Sequence, residues 1–265
     1  MHHKTMNTAV DTPKGTFGGR LKAAGIHLVI SLTVALLAAL LVFFVLYPYP
    51  YRDISGGRDL FLIVVAVDVV MGPLMTLAVF NTAKPRKELR RDLGIIGLLQ
   101  LAALAYGLWT VAVARPVHLV FEIDRFRVVH AIDVPSELLK RAPAGFQQLP
   151  LTGPTLLSVR NFKDSQESFD VTMAALQGIA IGARPDLWQA YPLAKQQVLA
   201  RARPLAELRV RFPANKKEID SALQAAGQAP IDIGYIPMVG RQTFWTVLID
   251  LKTAEVRAFV PIDSF

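Results

Sequence analysis

Three long apolar runs leave few options for the first half of this chain. They are GIHLVISLTVALLAALLVFFVLY (Gly25 to Tyr47), LFLIVVAVDVVMGPLMTLAVF (Leu60 to Phe80) and LGIIGLLQLAALAYGLWTVAVA (Leu93 to Ala114). Each is about 21–23 residues long. A helix rising ~1.5 Å per residue needs about 20 apolar residues to cross the hydrocarbon of a bilayer. Backbone in hydrocarbon must satisfy its own hydrogen bonds, so each run is predicted to be a transmembrane helix. The first run is longer than the ~7–15 apolar residues of a signal peptide, and no small-x-small cleavage site follows it. The chain carries a net charge of +8, yet 52% of its residues are apolar and clustered. That pattern points to a membrane protein and against nucleic acid as a partner.

Lysine and arginine in short loops set the orientation. Lys14, Arg20 and Lys22 precede the first run, and Lys84, Arg86, Lys87, Arg90 and Arg91 fall between the second and third. The loop PYPYRDISGGRD carries only Arg52 and Arg58. The N-terminus and the basic loop are therefore expected in the cytoplasm, the basic loop against the lipid bilayer. Three crossings then place Arg115 to Phe265 on the far side of the membrane, which in a Gram-negative cell is the periplasm. Residues 1–20 are predicted to be disordered, 21–114 to form a three-helix transmembrane domain and 115–265 a periplasmic domain.

The C-terminal domain reads as α+β with a mostly antiparallel sheet and helices on one face. VHLVFEIDRFRVVHAIDV (Val117 to Val134) is rich in β-branched and aromatic residues and predicts two strands turning near Asp124–Arg125, or one long bent strand. PSELLKRAP predicts a short helix, and GPTLLSVRNF a strand. Phe169, Met173, Leu176 and Ile179/Ala180 recur at steps of three or four, predicting a helix over Ser165 to Ile181. Further helices are predicted over Pro192 to Ala202 and, with Asn215 as N-cap and Gly227 as stop, over NKKEIDSALQAAG. A hairpin is predicted from Phe244–Asp250 and Glu255–Pro261, turning at Leu251–Ala254.

Chemistry-bearing patterns are sparse. The absence of cysteine removes disulfides and thiolate sites. Of the five histidines, His118 and His130 lie where strands can bring them together, but none has metal-ligand spacing, so no metal or cofactor is expected. No nucleophile elbow or P-loop is present, and GGRDL at Gly56 lacks a strand–turn–helix frame. Glu122 and Asp124 form an i, i+2 carboxylate pair, which also fits a solvated strand face beside Arg125 and Arg127. The reading is non-enzymatic; a hydrolase would need Glu122, Asp124, His118 and His130 in one cleft.

The exception is Asp68, near the centre of the second run, where an acid costs roughly 2.5–3.5 kcal/mol on insertion scales. Counted from the cytoplasmic ends of the apolar runs, Asp68 lies at ~18 Å and Tyr106 at ~20 Å. Their depths match, whereas Gln100 and Thr33 are shallower, at ~10 and ~12 Å. Pro73 should kink the helix and free a carbonyl near residue 69, and Gly72 permits close approach of another helix. Three uses of the acid stay open: a polar clamp within the bundle, a contact for a partner's helix, and a proton or ion path.

The segments LKAAGIHLVISL, VDVVMGPLMTLAVFN, AKPRKELRRDL, LLQLAALAYGLWTV, ARPVHLVFEIDRFRVV and VLIDLKTAEV, in this order, resemble the TfpX/TfpZ type IV pilin accessory proteins. The resemblance implies an inner-membrane protein that assists its cognate major pilin into surface pili, without catalytic residues or cofactors. The type IV pilin is then the expected partner, with other inner-membrane pilus assembly proteins beside it. On this reading Asp68, Gly72, Pro73 and Tyr106 form a notch for the pilin's helix. A membrane-anchored periplasmic sensor or binding module is the alternative.

Overall fold

The computed structural model describes residues 17–227 and 230–265. They fall into two compact units: the described residues up to Ala39 with Phe61–Trp109, and Leu40–Leu60 with Thr110–Phe265. Three helices are long and apolar enough to cross a membrane: α1 (Phe17–Leu46), α2 (Gly57–Val79) and α3 (Arg86–Val113). The disorder expected over residues 1–20 falls outside the described residues up to residue 16, and Phe17–Arg20 already belong to α1. Two stretches widen to i→i+5 bonding, Leu41–Leu46 at the end of α1 and Val67–Met71 inside α2.

The second unit is built on a mixed, mostly antiparallel sheet. Its strands are β1 (Pro116–Glu122), β2 (Arg125–His130), β3 (Thr155–Val159), β4 (Trp188–Ala190), β5 (Arg203–Pro204), β6 (Ile233–Val239), β7 (Phe244–Asp250) and β8 (Val256–Val260). The order is β4-β3-β1-β2-β6-β7-β8, with β5 paired to β6. Only β1–β3 and β2–β6 are parallel. Its helices of more than four residues, among those described, are α4 (Ser165–Leu176), α5 (Lys195–Arg201), α6 (Leu205–Arg211) and α7 (Lys216–Ala226).

Both faces of this sheet are covered, which corrects the expectation of helices on one face. Leu119, Phe121, Ile236, Met238, Val247 and Ile249 point to one core, which Val198 of α5 completes. Their neighbours Val117, Val120, Ile233, Tyr235 and Leu248 point the other way. There they meet Val171 of α4, Leu205 and Leu208 of α6, and Ile219 and Leu223 of α7. Successive strand residues face opposite sides, so a strand buried on both has to be apolar throughout. All seven residues of β1 are buried.

Turn chemistry fixes the hairpins. The β1–β2 turn puts Ile123 at φ 57°, and Asp124 lies in this turn, outside both strands, whereas Glu122 ends β1. In the β7–β8 turn, Asp250 Oδ1 accepts from the N–H groups of Lys252 and Thr253 at 2.7 and 2.9 Å. Ala254 takes the left-handed position, φ 64°, that a glycine would fill more readily. Its carbonyl accepts from the Tyr191 hydroxyl at 2.6 Å. That bond holds the turn where composition alone argues against it.

The segment between α1 and α2 is part of this unit. A four-residue helix, Tyr51–Ile54, buries Tyr51 and Ile54 in the core with Phe126 and Val128. Gly240 lacks the side chain that would collide with Ile54. The spacing of the tyrosines in this segment gives no sign of a distant sheet as partner. Tyr47 also turns inward, its hydroxyl donating to the Val111 carbonyl at 3.1 Å.

Helix α4 faces opposite to its apolar row. Val171 is buried, whereas Phe169, Met173 and Leu176 are 59, 40 and 77% exposed. Its start is well tied: Asp164 accepts from Glu167 N–H at 2.8 Å, and the Glu167 carboxylate accepts from Lys163 N–H and from both Arg160 amino groups. The Arg160 guanidinium, then the Lys163 N–H, hold the Glu167 carboxyl down at about 2, against 4.5 when free. A depressed carboxyl contributes stability above its unfolded pKa and loses it as pH falls through the folded one. Glu167→Gln is therefore expected to melt below wild type at neutral pH. The gap should close between pH 4.5 and about 2 in melting curves of the intact protein.

Candidate functional site

Asp68 lies in the widened turn Val67–Met71, directly before Gly72 and Pro73. In a regular α-helix Pro73 would leave the carbonyl of residue 69 without a donor. In the i→i+5 register the carbonyl it leaves is that of Asp68. Gln100 of α3 supplies the missing donor, Nε2 to Asp68 O at 3.2 Å. Gly72 is buried, and a Cβ on it would overlap the Gln100 amide. The small residue thus keeps room for that amide, and the close approach it permits is made by the chain's own third helix.

The Asp68 side chain is not used by this clamp. It is 7% exposed, and its Oδ1 has no hydrogen-bond partner among the described residues. It lines a cavity of about 250 Å³ with His27 and Ser31 of α1 and Gln100 of α3; Ile30 and Leu104 are among the apolar remainder. His27 Nδ1 and Thr76 Oγ1 share a hydrogen bond of 2.5 Å that ties α1 to α2. A buried carboxyl with a spare oxygen in an apolar wall can bind a hydrogen-bond donor.

Tyr106 is not part of this wall. It is 68% exposed and stacks its ring 5.8 Å from Trp109. Depth counted from the apolar edge at Leu93 misplaces it, because α3 starts at Arg86. From the helix ends, Asp68 lies ~17 Å and Gln100 ~21 Å in, while Tyr106 lies ~30 Å in. The basic residues also sit differently from a loop. Arg86, Lys87, Arg90 and Arg91 occupy the first turns of α3, and Lys84 precedes it, paired to Asp92 at 2.7 Å.

The sequence comparisons bear on what this bundle serves. A family model described as fimbrial assembly protein FimB matches residues 16–56. The fimbrial assembly protein of Dichelobacter nodosus serogroup I is 37% identical over 246 residues, 92% of this chain and 95% of its own length. The serogroup E1 protein is 36% identical over the same shares. The chain belongs to this family of fimbrial assembly proteins. No solved structure matches it.

In this fimbrial assembly protein the remaining polar candidates are kept apart. Glu122 is buried and binds Arg127 Nε at 2.7 Å and Gly182 N–H at 2.6 Å. Burial pushes its carboxyl up, against the pull of Arg127. Asp124 instead pairs with Arg125. His118 bonds Thr155 and meets the Trp188 ring edge-on; burial lowers its imidazole to about 4. His130 bonds Asp133. These contacts do not assemble a cleft joining the four residues. Sequence reasoning missed Gln100 and His27 as neighbours of Asp68. The signal for Gln100 was present: an amide in an apolar run that, like the acid, needs a partner.

Proposed function

We propose that the protein is an inner-membrane accessory factor, of the TfpX/TfpZ kind, that assists its cognate type IV pilin into surface fimbriae by binding it in the membrane. The observation that carries this reading is the likeness to fimbrial assembly proteins over 92% of the chain. α1, α2 and α3 cross the bilayer with the basic start of α3 in the cytoplasm. The segment between α1 and α2 shares a core with the C-terminal domain. Two crossings, α2 and α3, separate these parts in sequence, so a three-span topology puts both on one side of the membrane, which supports the reading; on this reading that side is the periplasm. The spare oxygen of Asp68 receives a donor from the pilin's transmembrane helix.

The test is removal of the gene, with surface fimbriae and the membrane pool of pilin measured in the same cells. Fewer fimbriae with a normal pilin pool support action in assembly. A depleted pool places the protein at pilin stability, and wild-type fimbriae overturn the reading.

A further inference from the structure

A second polar cavity, of about 470 Å³, lies in the C-terminal domain. Arg127 and His130 of β2, Asp133 after it, Gly178 and Ala180 after α4, and Arg241 between β6 and β7 are in its wall. The centre is His130, 1% exposed. One oxygen of Asp133, Oδ2, faces its Nδ1 at 3.1 Å and its backbone N–H at 3.3 Å. A carboxylate only accepts, so Nδ1 carries the proton and Nε2 is the ring's remaining hydrogen-bonding atom. Nε2 is buried without a partner among the described residues.

Two guanidinium groups flank this ring. Arg241 is held loosely, 3.7 Å from Asp133 Oδ1, and its side chain is 41% exposed. Arg127 commits its Nε to Glu122, and a guanidinium has two further amino groups to offer. The segment 178–183 brings no charge of its own to the wall. A planar carboxylate matches guanidinium geometry, and when the ring is protonated at both nitrogens its Nε2–H donates to the same carboxylate. The surroundings favour a polypeptide source. Phe169, Met173 and Leu176 form an uncovered apolar row that ends two residues before Gly178 of the cavity wall.

We propose that this cavity binds an acidic side chain of a partner polypeptide whose neighbouring apolar residues cover Phe169, Met173 and Leu176. The inference does not depend on which protein supplies that segment. A labelled, amidated peptide of three leucines and one aspartate is titrated onto the full chain in lipid nanodiscs, beside its asparagine counterpart. The aspartate peptide is expected to bind about tenfold more tightly, as a charge-assisted pair replaces a neutral one. Arg241→Gln and His130→Gln should each remove that preference, and Arg241→Lys should keep part of it. Phe169→Glu should weaken both peptides. Equal binding of the two peptides, or a preference that survives Arg241→Gln, overturns the proposal. Acetate competing as well as the peptide would assign the cavity to small free carboxylates and overturn the polypeptide part.

Discussion

Cells carrying Asp68→Leu are expected to show about tenfold fewer surface fimbriae while the protein itself accumulates at its normal level. The two effects separate because residue 68 has two roles. The clamp to Gln100 uses its backbone carbonyl, which leucine retains. The side chain holds a spare, buried oxygen that no group of this chain satisfies among the described residues. Replacing the acid relieves roughly 2.5–3.5 kcal/mol of insertion cost, so the isolated bundle gains stability. On the proposed function what is lost is a hydrogen bond to a partner helix, worth about 1–2 kcal/mol in hydrocarbon, or roughly tenfold in affinity. Asp68→Asn keeps hydrogen-bonding capacity and should retain most fimbriae. Counting fimbriae by electron microscopy, with immunoblots of both proteins, checks this. Normal fimbriae in Asp68→Leu would leave the acid without a partner role.

Glu122→Ala should instead unfold the C-terminal domain. The buried carboxylate joins β1 to β2 through Arg127 and to the 181–183 turn through Gly182. Its removal orphans a guanidinium and a backbone N–H together, and breaking a buried pair this way costs about 3–5 kcal/mol. A domain with total stability of about 5–15 kcal/mol loses much of it. Denaturant titration of the intact protein, followed by tryptophan fluorescence, measures the loss. Glu122→Gln, which still accepts from Gly182, should fall between. This variant is expected to lose fimbriae through loss of the protein, the opposite route from Asp68→Leu. A wild-type denaturation midpoint would show that Arg127 and Gly182 find water instead.

The apolar runs were readable as three long helices because bilayer thickness, helix rise and backbone hydrogen bonding leave no other economical form for them. The β1–β2 and β7–β8 hairpins were readable because each joins neighbours in sequence, with side-chain period and turn residues acting over a few positions. The basic residues around Lys84 to Arg91 were readable as a group, though most are helical. Helix α4 was predicted with the right start but an end five residues too far, at Ile181 rather than Leu176, and its apolar row faces outward. Periodicity reveals that a face exists and not what covers it.

Tertiary structure alone decided the rest. It put Gln100 rather than Tyr106 beside Asp68, because alignment between helices depends on where each begins and the basic first turn of α3 is invisible to an apolar count. It moved the unsatisfied carbonyl from residue 69 to Asp68 by widening one turn. It sent Tyr51 and Ile54 into a core built from strands more than sixty residues away, and brought Arg241 into the wall of one cavity with His130. By itself the sequence determined which segments are long apolar helices and which are strands. Which segments meet was left to packing, since a contact between distant residues is chosen by the shape of the whole and leaves no period in the chain.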